Sequence, residues 1–168
     1  DLDRFCAQRS CHVICSPLGS ASGGVLMVVR DSFFKTLRGF WVQHVIRGRI
    51  LTVHFLTQQG AFTVSCVHLH SGDAHQRVLQ LERIQALQSV DRPWLLVGDW
   101  NFTMEDADRI HFQEDSVGDF SLGSADQHEM RAFLRLFPHA EDFTVCRIFS
   151  FKNYRWASRV DRIYISLH

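Results

Sequence analysis

Trp94-Leu-Leu-Val-Gly-Asp-Trp-Asn101 is an apolar run that ends abruptly in polar residues. Trp94 to Val97 contain no position that asks for water, which predicts a strand buried on both faces. Gly98 follows, where only a residue without a side chain lets the backbone turn sharply. Asp99 and Asn101 come next, two apart, at the carboxyl end of that strand. In layered α/β proteins this rim is where ligands are usually met. A carboxylate and an amide there can hold a water, a hydroxyl or a hydrated cation between them. The same pair also suits an Asx-rich turn after a core strand, so the flanking segments have to decide.

The chain leading into this stretch changes period once. Gly24 to Arg30 is a short continuous apolar run, expected to be a buried strand. Trp41 to Ile46 and Arg49 to Leu56 form an expected hairpin about Arg47-Gly48. Ala61 to Leu69 adds another strand after Gln58-Gln-Gly60, so successive strands with tight turns predict antiparallel pairing. Leu2 to Gln8 is expected to be helical within an otherwise mixed start, and Ser16 to Gly24 is a turn-rich connector. After Gly72, Asp73 and Gln76 have capping-box spacing, and Val78, Leu81, Ile84 and Leu87 fall on one helical stripe widened by Leu79, Ala86 and Val90. That helix is expected to run to about Ser89, with Asp91-Arg-Pro93 ending it.

Beyond Asn101, residues 102–128 are polar and weakly periodic. Their acidic groups (Glu105, Asp106, Asp108, Glu114, Asp115 and Asp119) are expected on a solvated surface loop rather than around a metal. Asp126 and Glu129 repeat the capping-box spacing, with Met130, Phe133, Leu134 and Phe137 as the core face of a second helix before Pro138. Phe143 to Phe151 and Val160 to Ser166 are the last expected strands.

Composition sets the outer bounds. With 168 residues, 46% of them hydrophobic, the chain can form one domain with a substantial core. Eighteen Lys and Arg balance eighteen Asp and Glu. Bulk charge therefore does not announce nucleic acid, although a local basic groove is compatible with neutrality. No apolar run approaches the ~18 residues of a membrane helix, and no signal peptide is expected. The five cysteines lack disulfide or zinc spacing; Cys11 and Cys15 flank His12 without two further ligands. A reduced protein of nucleus or cytoplasm is expected. Asp1 is not a methionine and Ser166-Leu-His168 stops within a strand pattern, so the expectation is a fragment.

Two further segments carry polar chemistry. Strand alternation in Phe62 to His70 places Cys66, His68 and His70 on one face. His68, at the end of an apolar strand, is expected to be drawn into the fold, either as a hydrogen-bonded structural residue or as a proton donor and acceptor. Asp161 enters the Val160 to Ser166 strand among apolar neighbours, where a carboxylate is costly unless paired. Arg159 or Arg162 suits as its partner, and so does a catalytic histidine.

Together these segments resemble the endonuclease/exonuclease/phosphatase superfamily. Leu95-Leu-Val-Gly-Asp-Trp-Asn101 is similar to its Gly-Asp-x-Asn motif, and Ser158-Arg-Val-Asp161 to its Ser-Arg-Ile-Asp motif. Ser22-Gly-Gly-Val-Leu-Met-Val-Val29 resembles the strand after its glutamate motif. Val67-His-Leu-His-Ser-Gly-Asp-Ala74 resembles the strand-to-helix passage carrying a catalytic His, and its spacing selects His68 over His70. The four occur in order across about residues 20–166, and Ser158-Arg-Val-Asp161 is most like the endonuclease domains of LINE-type retrotransposons. The resemblance implies a four-layer α-β-β-α sandwich of two mostly antiparallel sheets. It further implies a divalent cation, Mg²⁺ or Mn²⁺, held in part by Asp99 and Asn101, and phosphodiester hydrolysis by in-line attack of water. Asp99 would handle the water, Asn101 a phosphate oxygen, His68 the phosphate or leaving oxygen, and Asp161 a second His. DNA is the expected substrate, with Arg147, Lys152, Tyr154, Arg155, Trp156 and Arg159 as a candidate backbone-tracking segment.

Departures accompany the match. The sequence has no Gln-Glu-Thr-like motif, no early Asn before it and no closing Ser-Asp-His. Residues 1–168 are therefore expected to be a partial domain that binds Mg²⁺ poorly and is inactive alone. A non-catalytic remnant of the same fold and a phosphatase of lipid or inositol phosphates are the alternatives. His68-Leu-His-Ser-Gly-Asp-Ala-His75 also approaches the His-x-His-x-Asp-His string of binuclear metallohydrolases, but Asp73 and His75 are out of place.

Overall fold

A computed structural model describes residues 2–19, 24–89, 91–112, 120–122, 125–143, 151–152 and 156–166. The chain starts with α1 (Leu2–Arg9) and a hairpin of β1 (Cys11–Pro17) and β2 (Gly24–Arg30), Cys11 opposite Arg30. In β2, Val25, Met27 and Val29 turn to the core while Leu26 and Val28 stay exposed. The apolar run therefore does not make a strand buried throughout: its hairpin is a two-stranded ribbon with the main sheet on one side. A four-residue α2 (Asp31–Phe34) follows.

β3 (Gly39–Ile46), β4 (Ile50–Leu56) and β5 (Ala61–His68) then form the expected antiparallel meander, with Gly48 in the first turn. After β5 the period change becomes α3 (Ala74–Gln85), and β6 (Trp94–Asp99) lies parallel to β5. A parallel neighbour requires a crossover of this length, because a tight turn can only reverse the chain. A 3-10 turn (Asp106–Asp108), β7 (Arg109–Phe112), β8 (Phe120–Leu122), α4 (Gln127–Leu136), β9 (Glu141–Asp142), β10 (Phe151–Lys152), β11 (Trp156–Ser158) and β12 (Asp161–Ser166) complete the described elements. The main sheet has the order β3-β4-β5-β6-β12-β9, mostly antiparallel, and the second has the order β10-β11-β7-β8. This is a mixed α/β architecture with two main sheets, as the resemblance implied.

The main sheet carries a separate core on each face. Under α3 and α4 lie Ile50, Val67, Leu69, Leu81, Ile84, Trp94, Leu96, Phe133 and Tyr164. On the other face, Leu51, Val53 and Phe55 pack with Val29 of β2, and Val64 and Cys66 join them. Alternation along each strand makes this division, since successive side chains go to opposite faces.

Both helices begin differently from one another. Asp73 caps α3, accepting from the backbone N–H of His75 at 2.9 Å and of Gln76 at 3.3 Å. Val78, Leu81 and Ile84 are buried, whereas Leu79 and Ala86 are exposed and the helix ends at Gln85, short of Ser89. Val90 lies outside the described residues. At α4 the capping box does not form. The Asp126 carboxylate is taken by the Thr103 N–H (2.8 Å) and by Arg109 (2.9 Å). Glu129 is buried against Arg77 of α3, because a guanidinium drawn between two helices needs a carboxylate there more than the helix needs a cap. Leu134 is exposed, and Ala132 takes the core position beside Phe133 and Phe137.

The solvated-loop expectation for 102–128 fails at Asp108, which is 1% exposed. Glu114, Asp115 and Asp119 lie outside the described residues, as do 144–150 of the expected Phe143–Phe151 strand.

Candidate active site

The end of β6 is shaped by Gly98. Its φ is 141°, and a Cβ there would sit 2.0 Å from the Val67 carbonyl oxygen of the paired strand. Only glycine lets β5 and β6 close at this point. Trp100, fully buried, then fixes the turn. Its backbone N–H donates to the Val160 carbonyl at 2.9 Å, its indole N–H to the Arg162 carbonyl at 3.3 Å, and its ring packs edge-on against Phe133 and Tyr164. With Trp100 inserted into the helix-side core, Asp99 and Asn101 are left on the rim. Asn101 takes a left-handed φ of 52°, which a short polar side chain tolerates best. Its Nδ2 donates to the Leu69 carbonyl at 2.8 Å, which leaves Oδ1 as the acceptor end.

Sheet register now assembles residues that are far apart in sequence. His68 is the partner of Asp99 across the parallel β5–β6 pair, and Asp161 is its partner across the antiparallel β12–β6 pair. Strands lie about 4.8 Å apart, so the three form one row over three strands. By alternation the row falls on the face of Val64 and Cys66, turned away from the helices. His68 Nε2 is 4.0 Å from Asp99 Oδ2, and both side chains are about one-third exposed, at 33% and 34%. Asp99 Oδ1 accepts the Asn101 N–H at 2.9 Å.

Burial pushes the Asp99 carboxyl above its ordinary value. The Asn101 N–H pulls it down, the Asp161 charge pushes it up again, and His68 and Arg49 pull it down. A carboxylate held this way is more basic than one in water and sits beside an imidazole, a pairing suited to moving protons. Cys66, two residues before His68, is not a competing nucleophile, because burial pushes its thiol up to about 11.

Sequence reading missed Arg49. Its guanidinium lies 3.4 Å from His68 Nε2 and its backbone carbonyl accepts the His68 N–H at 2.8 Å. The only signal available was a cation directly after the Arg47-Gly48 turn; which strand end it would meet depends on the β4–β5 register. Two arginines considered as partners for Asp161 also have other carboxylates. Arg159 and Arg162 both bind Asp108, and Arg162 additionally binds Asp142. Arg159 is thereby withdrawn from the proposed backbone-tracking segment. Arg147, Tyr154 and Arg155 of that segment lie outside the described residues, and the side chains of Lys152 and Trp156 are not described. His70 contributes its ring Nδ1 to the Gly72 N–H at 3.2 Å, a local turn contact rather than a place in the row.

Among the described residues no three His, Cys, Asp or Glu side chains gather to hold a metal ion. A zinc-type cage is therefore not built from them. Mg²⁺ asks less, since it keeps several waters and uses one or two carboxylates with phosphate oxygens. The Asp99 carboxylate and the Asn101 Oδ1 fit that smaller demand.

Residues 3–167 match the Endonuclease/Exonuclease/phosphatase family. The chain belongs to this family. No curated protein matches it in sequence. Its structure is similar to the endonuclease domain of TRAS1, a telomere-specific non-LTR retrotransposon, with TM-score 0.62 and 15% identity over 94% of this chain and 68% of that one. It is also similar to an AP endonuclease from Archaeoglobus fulgidus (TM-score 0.62, 16% identity, 95% of this chain and 68% of that one). A third likeness is to a mannosyl-6-phosphatase of Bacteroides thetaiotaomicron (TM-score 0.56, 16% identity, 98% and 66%). At such identities the likeness is one of fold. The endonuclease/exonuclease/phosphatase chain spans about two-thirds of each of these structures. No helix among the described residues is long and apolar enough to cross a membrane.

Proposed function

We propose that this chain supplies the hydrolytic row of a divalent-metal-dependent phosphodiesterase acting on DNA. The observation that carries the reading is the register of His68, Asp99 and Asp161 on three adjacent strands. Asp99, made more basic by burial and by Asp161, orients the attacking water and accepts its proton. Asn101, fixed by its bond to the Leu69 carbonyl, holds a non-bridging phosphate oxygen or the water. His68 donates to the phosphate or leaving oxygen, and the neighbouring Arg49 offsets the phosphate charge. Asp161, as in the family pattern, orients a second imidazole. Asp99 and Asn101 would hold a cation such as Mg²⁺ or Mn²⁺, which would supply charge neutralisation at the phosphate.

DNA is favoured over smaller phosphoesters by the Ser158-Arg-Val-Asp161 motif and by the fold likeness to two DNA-directed endonucleases. The phosphatase likeness keeps small phosphate monoesters as the second substrate class. The test is single-turnover hydrolysis, in the protein that carries this chain, of supercoiled plasmid DNA and of a sugar phosphate side by side. Mg²⁺-dependent nicking abolished by Asp99→Asn supports the proposal. Nicking at wild-type rate in that variant, or turnover of the sugar phosphate alone, overturns it.

A further inference from the structure

Two polar side chains sit on the buried face of α3 beside the Val78–Leu81–Ile84 stripe. Arg77 and Gln80 are one helical turn apart, so they share one side of the helix, and both are buried. A polar group in the interior is costly unless it is bonded. Each of these is bonded to the same residue of the chain leaving β5. Gln80 Oε1 accepts the His70 N–H at 2.9 Å, and Arg77 Nη1 donates to the His70 carbonyl at 2.9 Å. Arg77 is itself anchored to α4, where its Nε donates to Glu129 Oε1 at 2.8 Å.

The stretch they hold leaves the sheet where the proposed site begins. At the end of the β5–β6 ladder, the Leu69 N–H donates to the Asp99 carbonyl at 2.9 Å. Beyond it lies the peptide that joins Leu69 to His70. Its N–H is the one taken by Gln80, and its carbonyl is the one that accepts Asn101 Nδ2 at 2.8 Å. A trans peptide is planar, with its N–H and C=O pointing in opposite directions. Aiming the N–H at the helix therefore aims the carbonyl at Asn101. An acceptor at that place selects the NH₂ end of the Asn101 amide and leaves Oδ1 as the other end. We propose that Gln80 is a positioning residue for Asn101, acting through the Leu69–His70 peptide, with Arg77 bracing the peptide that follows. What it positions is an acceptor oxygen, the atom type that a cation or a water hydrogen requires. The catalytic meaning rests on the phosphodiesterase reading; the chain of hydrogen bonds does not.

The test removes the acceptor and keeps the bulk. Gln80→Met preserves the length of the side chain but leaves the His70 N–H without its bond. In the protein that carries this chain, NMR should show the Asn101 side-chain amide exchanging about tenfold faster relative to the Leu69 N–H, the scale of one lost hydrogen bond. The Leu69 N–H is the internal control, because a general loosening of the fold speeds both. Gln80→Glu retains an acceptor oxygen and should keep the wild-type ratio. Should Gln80→Met fail to fold, Gln80→Asn, one methylene shorter, is read in the same way with a smaller rise. Kinetics supply the second readout. Single-turnover nicking of supercoiled plasmid should fall about tenfold in Gln80→Met with DNA affinity unchanged, and the same change should add nothing in an Asn101→Ala background. An unchanged exchange ratio in a folded Gln80→Met, or full additivity of the two substitutions, overturns the proposal. The exchange readout uses no substrate, so a wild-type protein without hydrolytic activity would sink the phosphodiesterase reading and leave this one standing.

Discussion

Two aspartates on one segment, Asp99 and Asp108, show opposite uses of burial. Asp108 is 1% exposed and its acceptor positions are filled by two guanidiniums and two backbone N–H groups. Asp99 is about one-third exposed, accepts one backbone N–H, and faces an imidazole 4.0 Å away and a second carboxylate in register. The first arrangement spends its carboxylate on cohesion. The second leaves an ionised carboxylate under-compensated, which is the condition for taking up a proton in a reaction. One region is built to be satisfied and the other to be reactive, and they are tied together by Arg159, Arg162 and the Trp100–Val160 bond.

The contrast is most sharply tested by removing the satisfied carboxylate. Asp108→Ala leaves two interior arginines short of a partner and should cost about 3–5 kcal/mol of stability, read from urea denaturation. A loss below about 1 kcal/mol, the scale of an exposed ion pair, would erase the distinction between the two regions.

Asp99→Asn should do the reverse. Size and hydrogen bonding are kept, but the charge that assists deprotonation is gone. Hydrolysis by the protein carrying this chain should fall at least ~10²-fold, about 2.7 kcal/mol of transition-state stabilisation, with little change in substrate affinity. His68→Ala should lower turnover comparably, and the double variant should lose less than the product of the two, because both groups serve one transition state.

The same Asp99 substitution should also raise stability slightly at neutral pH. Because the folded-state value is raised, the fold prefers the protonated carboxyl. The stability this contributes is fully present below the unfolded value near 3.8 and is lost as pH rises through the folded value. Wild type and Asp99→Asn should therefore melt together in acid and diverge above it, with the variant melting higher. The gap should be small, since solvent screens a group this exposed. A variant that melts lower at pH 7 would mean that Asp99 is a structural residue like Asp108. The smallest effect is expected at His70, whose ring makes the turn contact with the Gly72 N–H among the described residues: His70→Ala should change single-turnover rates by less than about threefold. A larger loss there than at His68 would move the imidazole of the row to the wrong strand position.

What was legible from residues alone was local and periodic. The alternating strands of β3 to β5 could be read from spacing, as could the Asp73 cap, the Val78–Leu81–Ile84 stripe and the Gly98 turn before Asp99. Each depends on neighbours within one turn or one pleat. Motif order added the family and four candidate site residues, His68, Asp99, Asn101 and Asp161. What spacing cannot carry is register between distant strands. It does not show that Arg49 meets His68 nineteen residues away, or that Arg159 and Arg162 both reach back to Asp108. It likewise does not show that Glu129 leaves its cap for Arg77. In each case a buried charge is satisfied by the partner that packing brings near, and desolvation outweighs sequence proximity. The sequence by itself determined which residues are candidates for the proposed hydrolytic chemistry. Only the tertiary structure decided which of its charges are compensated and which are left to react.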